Sequence, residues 1–276
     1  MSDSFLDAMA AGSHARDAAL RRRVDPETLI AEARRMVPPP RLRLQAFDLI
    51  AEVKRKAPSA GVLADLDDDG VARAVVQART YAEAGAAAVS VLTEPEHFAG
   101  SMAQLRAVAE ALAPLGVPVM RKDFLVTPLQ VAEARVAGAG GVLLIVRMLE
   151  PEVLRAMRDL ALELGMFVLI EAFDGPDLDA ASALLGPTPA PGQLLGLNTR
   201  DLRTLEVDST RLARLSGAFP ERVSRVAESG LSLPSDAARV SSQGYRLALV
   251  GSALMRAGDP ATLIAEMLRA GRSACG

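Results

Sequence analysis

Apolar residues form eight short runs along the chain from Phe47 onward, and each run is followed by a longer segment of mixed polarity. The runs are unbroken, whereas the segments between them repeat apolar residues at helical spacing. The predicted strands are Asp48–Val53, Ala87–Leu92, Val117–Met120, Gly141–Val146, Phe167–Ile170, Leu194–Leu197, Val223–Val226 and Leu247–Val250. The predicted helices are Gly70–Ala84, Ser101–Leu115, Pro128–Ala137, Pro151–Leu164, Pro176–Leu184, Ser209–Ser216, Pro234–Ser242 and Pro260–Arg269.

Eight strands that each precede a helix are typical of an α/β protein with a (βα)8 TIM barrel. The unbroken apolar runs agree, because parallel strands in such folds are buried on both faces. A doubly wound open sheet is the alternative. It is less favoured, because no Gly-x-Gly-x-x-Gly pattern follows the first strand. The proline-rich segment 187–192 precedes a strand, so in a barrel it lies on the face away from the chemistry.

Residues 1–46 differ from the barrel and predict an N-terminal helical extension. They are rich in Ala, Arg, Glu and Asp, with apolar positions such as Phe5, Met9 and Leu20 at helical spacing. The sequence Asp25-Pro26-Glu27 predicts a helix start, with Asp25 as the cap. A run of three prolines at 38–40 ends the helical part. We therefore expect two parts, an extension over 1–46 and a single catalytic barrel domain over 47–276.

Composition excludes several classes of function. A net charge of −3 without a long basic run does not suggest a nucleic-acid surface. The single cysteine, Cys275, excludes an internal disulfide, and with only His14 and His97 a histidine-rich metal site is excluded as well. No signal peptide and no membrane-spanning apolar run is present. We expect a cytoplasmic protein that binds no metal, nucleic acid or membrane and is a monomer or a weak homo-oligomer.

Lysine is rare in this chain, and its positions are informative. Lys54, Lys56 and Lys122 are the only lysines among 31 basic residues. A lysine can shift its pKa and exchange a proton, whereas an arginine stays charged. All three lysines fall at carboxyl ends of predicted strands, where barrels build their active sites. A random scatter of surface lysines does not predict this, although Lys56 is the weakest case because Lys54 already faces the same way. Arg121 alternates with Lys122, so we expect it to point away from the mouth.

The other strand ends add carboxylates, an amide and two glycine–serine pairs. The loops after the last two strands of a barrel commonly bind phosphate, so these pairs predict a phosphorylated substrate. These polar strand ends are Glu52, Glu171, Asn198, Glu228, Ser229-Gly230 and Gly251-Ser252.

Several further residues have two interpretations each. Ser59 is either a phosphate contact or a turn residue. Phe98 and Phe124 either stack on a planar substrate or anchor their loops. His97 fits a loop residue better than a base, because no partner histidine exists. Arg147 and Arg200 either bind a substrate anion or pair with an acidic neighbour such as Glu171 or Asp201.

The strand-end motifs together resemble the indole-3-glycerol-phosphate synthase family of tryptophan biosynthesis over about residues 47–260. The motifs are Ile50–Ser59, Val91–Glu94 with Phe98–Ser101, Arg121–Phe124, Val142–Ile145, Gly196–Leu202, Glu206–Asp208, Ala227–Gly230 and Val250–Met255. The resemblance implies a carbon–carbon lyase that needs no metal or organic cofactor. Its substrate would be 1-(2-carboxyphenylamino)-1-deoxyribulose 5-phosphate, which is closed, decarboxylated and dehydrated to indole-3-glycerol phosphate.

The resemblance also implies residue roles. Lys122 would be the general acid that protonates the ketone oxygen, and Glu171 the acid/base group of the dehydration. Lys54 would contact the substrate carboxylate and the phosphate region, and Arg200 would contact the substrate. Glu52, Asn198 and Glu228 would hold the lysines and the substrate hydroxyls. Ser229, Gly230, Gly251 and Ser252 would bind the phosphate. The sequence does not set the direction in which the pKa of Lys122 shifts.

The chain departs from the family pattern in three places. Ala57 replaces the usual serine, Ala172-Phe173 replaces an aliphatic residue followed by His or Asn, and the 187–192 loop is longer than usual. Two other functions compete with the lyase. A phosphoribosylanthranilate isomerase would be expected to use an early Cys or Asp base, and Glu52-Val53-Lys54 stands there instead. A phosphate-binding scaffold barrel would have no use for a titratable lysine. The sequence does not separate a housekeeping enzyme from a duplicate in a secondary-metabolite pathway.

Overall fold

Eight parallel strands close into a barrel in the computed structural model, which describes residues 4–57, 61–62, 69–201, 204 and 206–275. The strand order around the barrel is β1-β10-β9-β8-β7-β6-β5-β4. The barrel strands are β1 Asp48–Val53, β4 Ala88–Leu92, β5 Val119–Lys122, β6 Gly141–Ile145, β7 Phe167–Ala172, β8 Gln193–Asn198, β9 Ser224–Glu228 and β10 Leu247–Val250. The predicted (βα)8 barrel is confirmed.

Helices surround the barrel, and two more precede it. These helices are α1 Ser4–Arg23, α2 Pro26–Arg35, α3 Val71–Glu83, α4 Pro95–Phe98, α5 Met102–Leu112, α6 Pro128–Val136, α7 Pro151–Glu163, α8 Gly175–Leu185, α9 Arg211–Arg214, α10 Pro234–Ser242, α11 Ser252–Arg256 and α12 Pro260–Ser273. Short 3-10 turns follow at Ala113–Leu115, Val146–Met148 and Ser216–Ala218, and a two-stranded hairpin pairs β2 Lys56–Ala57 with β3 Gly61–Val62. The predicted cap of α2 is confirmed, because the Asp25 carboxylate accepts a hydrogen bond from Thr28 N at 2.9 Å.

Side chains alternate along each strand between two cores. On β1, Leu49, Ala51 and Val53 pack outward against the helices, whereas Ile50 packs into the barrel interior. Alternation then directs Glu52 inward, toward the carboxyl end of the barrel. The same alternation on the other strands brings the polar ends of different strands together at one mouth.

Four strands extend further than predicted, among them β8, which runs on to Asn198, and the difference matters for the site. β5 begins at Val119 and runs through Lys122, β7 runs on to Ala172, and β9 runs on to Glu228. The apolar runs end earlier because the last inward positions are polar. The polar residues Lys122, Glu171, Asn198 and Glu228 therefore belong to regular strand and not to loops, and the barrel hydrogen bonds fix their backbones.

The N-terminal extension lies on the barrel. Two hydrogen bonds join α1 to the start of α6. Gln130 Nε2 donates to Ser13 Oγ at 2.9 Å, and Thr127 Oγ1 donates to Asp17 Oδ1 at 2.6 Å. Arg135 of α6 is buried and donates to the carbonyl of Val37 in the segment after α2. These contacts place α1 beside the mouth of the barrel.

Candidate active site

A cavity of about 310 Å³ opens at the carboxyl ends of the barrel strands. It is lined by every predicted site residue that lies within the described chain. These residues are Glu52, Lys54, Phe98, Lys122, Phe124, Glu171, Asn198, Arg200, Glu228, Ser229, Gly230, Gly251 and Ser252. Ser59 lies outside the described residues. The cavity therefore unites residues from seven strand ends that are far apart in sequence.

Lys122 lies among carboxyl groups at the floor of this cavity. Its Nζ is 3.7 Å from Glu171 Oε1 and 4.0 Å from Glu228 Oε2. Burial opposes the charge of the ammonium, but the neighbouring carboxylates of Glu171, Glu228 and Glu52 outweigh burial and raise the pKa of Lys122. Lys122 is therefore protonated in the free protein at neutral pH and carries a proton available for donation.

Glu228 has an environment unlike that of an ordinary glutamate. It is buried, no N–H or hydroxyl group of the described residues donates to its carboxyl oxygens, and a proton on Glu228 can be shared with the neighbouring Glu171. Burial is the main cause that raises the pKa of Glu228, and the negative charge of Glu171 adds to it, while Lys122 acts in the opposite direction. A buried glutamate of this kind favours the neutral acid, which can donate a hydrogen bond to a ligand.

Asn198 orients the carboxyl group of Glu171. Its Nδ2 donates to Glu171 Oε1 at 2.8 Å, and its Oδ1 accepts from the backbone N of Arg200 at 2.9 Å. Arg211 donates to the backbone carbonyl of Asn198 at 3.0 Å. The amide is thus held at both ends, so Glu171 keeps one orientation toward Lys122.

Lys54 and Glu52 form a close ion pair, with Nζ 2.6 Å from Oε1. The pair lies against Gly251 at the end of β10, where an added Cβ would overlap Glu52 Oε1 and lie 3.0 Å from Lys54 Nζ. Glycine therefore lets the Glu52–Lys54 pair lie directly against the backbone at the end of β10. Lys56 does not line the cavity, since it belongs to the β2–β3 hairpin and its Nζ is 3.4 Å from the carbonyl oxygen of Glu96.

The turn after β9 has an unusual backbone. Ser229 and Gly230 both adopt left-handed conformations, with φ of 68° and 73°. Such a φ is uncommon for a residue with a side chain, and it costs about 1–3 kcal/mol. Thr199 Oγ1 donates to the carbonyl of Ser229 at 3.2 Å and helps to hold the turn. Strain of this kind clusters at functional sites, so the turn fits the predicted phosphate-binding role.

An apolar wall faces the polar floor. Phe124, Leu143 and Ile145 line the cavity, and the Phe98 and Phe124 rings have centroids 6.1 Å apart. Phe5 of α1 completes the wall, with its ring 6.0 Å from that of Phe124 in an edge-to-face contact. The sequence indicated only that Phe5 lies on an apolar helix face, so its place in the site was missed. Leu143 and Ile145 belong to a motif that carries the resemblance but were not predicted as site residues, and Arg256 was missed as well.

A buried polar network lies directly behind Lys122. The carboxylate of Asp123 accepts from Arg16 Nη2 at 2.7 Å, from Thr93 Oγ1 at 2.7 Å and from Arg121 Nη2 at 3.2 Å. Arg121 also pairs with Glu133 at 2.8 Å. The prediction that Arg121 points away from the mouth is confirmed. Arg16 connects α1 to the residue that follows Lys122.

Arg147 does not pair with Glu171. Its Nη2 lies 2.5 Å from Asp174 Oδ2 and 2.8 Å from Asp177 Oδ2. The guanidinium also lies 4.8 Å from the ring centroid of Phe173, which lines the cavity. His97, in α4, contacts the Phe5 ring at 5.9 Å and does not line the cavity. Of the two arginines with open interpretations, only Arg200 lies at the cavity.

Among the described residues, no helix combines the length and the apolar character that crossing a membrane requires.

Comparison with known proteins agrees with these features. The family model described as indole-3-glycerol phosphate synthase matches residues 18–267. The indole-3-glycerol phosphate synthase of a Nocardioides strain is 44% identical over 83% of this chain and 83% of its own length. That of a Parafrankia strain is 40% identical over 92% of each chain. The solved 3-hexulose-6-phosphate synthase of Salmonella typhimurium shares the fold, with a TM-score of 0.64 over 83% of this chain and all of its own, at 14% identity. The chain belongs to the indole-3-glycerol phosphate synthase family.

Proposed function

We propose that this chain converts 1-(2-carboxyphenylamino)-1-deoxyribulose 5-phosphate into indole-3-glycerol phosphate, carbon dioxide and water, in tryptophan biosynthesis. The observation that carries the proposal is the position of Lys122. It is the cationic acid at the floor of the cavity, 3.7 Å from Glu171, below an aromatic wall and across from the glycine–serine turns. A substrate with an aryl group at one end and a phosphate at the other matches a cavity that has aromatic rings in one wall and glycine–serine turns in another.

The two ends of the cavity suit the two ends of the substrate. Ser229, Gly230, Gly251 and Ser252 lie at the ends of β9 and β10, where backbone N–H groups can approach a phosphate. Phe124 follows β5, opposite β9, and the Phe98 ring lies 6.1 Å from it, so the two provide apolar surface for the aryl ring. Lys54 lies within the cavity as a cation for the aryl carboxylate and the phosphate region, and Arg200 contacts the substrate.

Lys122 supplies the first proton. As the carboxylate-bearing ring carbon attacks the ketone carbon, charge develops on the ketone oxygen, and Lys122 protonates it. A raised pKa makes Lys122 a weak acid in the free protein. The transfer is nevertheless favourable, because the alkoxide that forms is a stronger base than the amine. Release of carbon dioxide then restores the aromatic ring.

Glu171 serves the dehydration. It lies within reach of Lys122 and is oriented by Asn198 at 2.8 Å, so it can move a proton as the hydroxyl leaves as water. Neutral Glu228 donates a hydrogen bond to a substrate hydroxyl, and Glu52 holds Lys54. In this scheme no step requires a metal ion or an organic cofactor.

We further infer a cytoplasmic enzyme, because charged phosphorylated intermediates do not cross membranes unaided. Its partner is a small phosphorylated molecule. The net charge of −3 gives no support to nucleic-acid binding. For the assembly state, the proposal is a monomer or a weak homo-oligomer.

The test is direct. The purified protein is incubated with the carboxyphenylamino-deoxyribulose phosphate in metal-free buffer, and indole formation is followed by absorbance and fluorescence. A Lys122→Ala variant prepared in the same way controls for contaminating host enzyme. Product with the unaltered protein and none with the variant supports the proposal. Equal signals, or no product from the folded unaltered protein, contradict it.

A further inference from the structure

Phe173 occupies a wall of the cavity that the proposed reaction does not use. It follows β7 two residues after Glu171, so alternation places both side chains on the inner side of the barrel. The two cores agree, because Ala172 packs with the outer core and Phe173 with the inner one. The ring is only 4% exposed and lines the cavity.

A polar brace holds this ring in place. Arg147 Cζ lies 4.8 Å from the ring centroid, a cation–π distance. Arg147 is itself fixed by Asp174 and Asp177, at 2.5 and 2.8 Å. The Asp177 carboxylate also accepts from the backbone N of Phe173 at 2.9 Å. Ring, guanidinium and carboxylates thus form one unit that keeps Phe173 from rotating out of the wall.

The strand order tells which end of the substrate meets Phe173. The phosphate turns follow β9 and β10, and the strands on the opposite side of the barrel are β5 and β6. β7 is the neighbour of β6 and pairs with it through Ile145 and Glu171. Phe173 therefore adjoins the apolar wall at Ile145, while β8 separates it from the phosphate turn after β9, and β8 and β9 separate it from the turn after β10.

We propose that Phe173, held by Arg147, is a specificity-determining residue for the aryl ring of the substrate. The inference rests on the proposed function. The Phe173 side chain has no hydrogen-bonding atom, so this part of the wall offers a substituent on the ring only apolar contact. An apolar substituent on the aryl ring gains contact here, and a hydroxyl substituent loses its water without gaining a partner. The enzyme thus prefers apolar over hydrogen-bonding ring substituents.

The experiment compares two substrate analogues, with a methyl or a hydroxyl group on the ring carbon para to the nitrogen. The measured quantity is the ratio of kcat/KM for the methyl analogue to kcat/KM for the hydroxyl analogue. Their intrinsic reactivities differ, but this difference cancels when the same ratio is compared between protein variants. In Phe173→Asn the ratio is expected to fall about tenfold or more, which is the discrimination that one substituent in a pocket provides.

Two further variants separate polarity from structure. Phe173→Leu keeps the wall apolar, so the ratio is expected to stay near that of the unaltered protein even where stability falls. Arg147→Gln removes the brace and is expected to lower the ratio partly. Arg158→Gln is its matched control, because Arg158 pairs with Asp159 and donates to Leu184, outside the cavity.

The outcomes are distinct. An unchanged ratio in folded, active Phe173→Asn overturns the inference, and so does an equal fall in Phe173→Leu. Both results leave the proposed function intact. Absence of indole product from the unsubstituted substrate with the unaltered protein overturns the proposed function instead.

Discussion

Lys122 Nζ lies 3.7 Å from Glu171 Oε1, although the two residues come from strands that are not neighbours in the barrel. β6 separates β5 from β7, and the pair meets across the mouth because both side chains point inward. An ammonium and a carboxyl group are thus held on regular strands at close range. Because the barrel hydrogen bonds fix both backbones, single substitutions at the site have defined expected effects.

Replacing Lys122 by arginine tests proton donation separately from charge. Arginine keeps the cation but does not exchange its proton at working pH. We expect kcat to fall about 10²- to 10⁴-fold, the range for loss of general acid catalysis, with affinity for the product changed little. Lys56→Arg is the matched control, because Lys56 lies outside the cavity. Near-normal turnover of Lys122→Arg would show that Lys122 acts only as a charge.

The raised pKa of Glu228 predicts a pH dependence of stability. A carboxyl whose pKa is raised on folding binds more protons in the folded than in the unfolded protein. The stability that this carboxyl group contributes is fully present below pH 4.5, its ordinary pKa. It is lost as the pH rises through the pKa that the group has in the folded protein. Each unit of the rise corresponds to about 1.4 kcal/mol.

The measurement is urea unfolding of the unaltered protein and Glu228→Gln at a series of pH values that starts near the ordinary pKa of 4.5 and rises from there. Glutamine mimics the neutral acid, so the difference in free energy of unfolding should shift in favour of the variant with rising pH. Glu163→Gln, at an exposed pair with Arg34, controls for loss of a surface carboxylate. Parallel curves for the unaltered protein and Glu228→Gln would contradict the expectation.

Arg16→Gln is expected to loosen α1 and weaken substrate binding. The substitution removes one partner of the buried Asp123 carboxylate, which keeps its hydrogen bonds from Thr93 and Arg121. The free energy of unfolding is therefore expected to fall by about 1–3 kcal/mol. Because α1 carries Phe5, KM should rise more than kcat falls. Arg21→Gln on the same helix removes an ion pair within α1 and is the control. Identical kinetics of the two variants would mean that Arg16 does not position the site.

Gly251→Ala is expected to impair the phosphate end. The added methyl group would overlap Glu52 and press against Lys54, so the Glu52–Lys54 pair must move. We expect KM to rise about tenfold or more, together with weaker inhibition by inorganic phosphate. Gly258→Ala is the control, because nothing lies within 4 Å of an added Cβ there. Unchanged KM and phosphate inhibition in Gly251→Ala would remove Gly251 from the binding site.

The apolar runs predicted where strands begin better than where they end. All of β1 and all of β10 were predicted correctly, and in β10 the inward and outward positions are both apolar. β7 was predicted to end at Ile170, since Glu171 interrupts the run. The interruption is itself the signal of the site: a charged residue at an inward position of a barrel strand lines the mouth.

Two features of the site depend on contacts that no local pattern contains. Periodicity showed that Phe5 lies on an apolar face of α1, but not that the face covers the cavity. The partner of Arg147 was expected on a strand end, and it is the Asp174–Asp177 pair in the loop and helix after β7. Long-range packing decides both, and a single sequence carries no record of it. The rarity of lysine is a signal of chemistry and not of geometry, and two of the three lysines, Lys54 and Lys122, line the cavity.

The attachment of α1 through Arg16 limits how this barrel can be recombined with others. Consider a chimera that joins this barrel to another protein at the first strand, which begins at Asp48. A graft made there transfers the strand ends but leaves behind Phe5 and the tether to Asp123. The transferred barrel would lack Phe5, which lines the cavity in which Lys122 lies. A graft that keeps the whole cavity wall must therefore include residues from Phe5 onward.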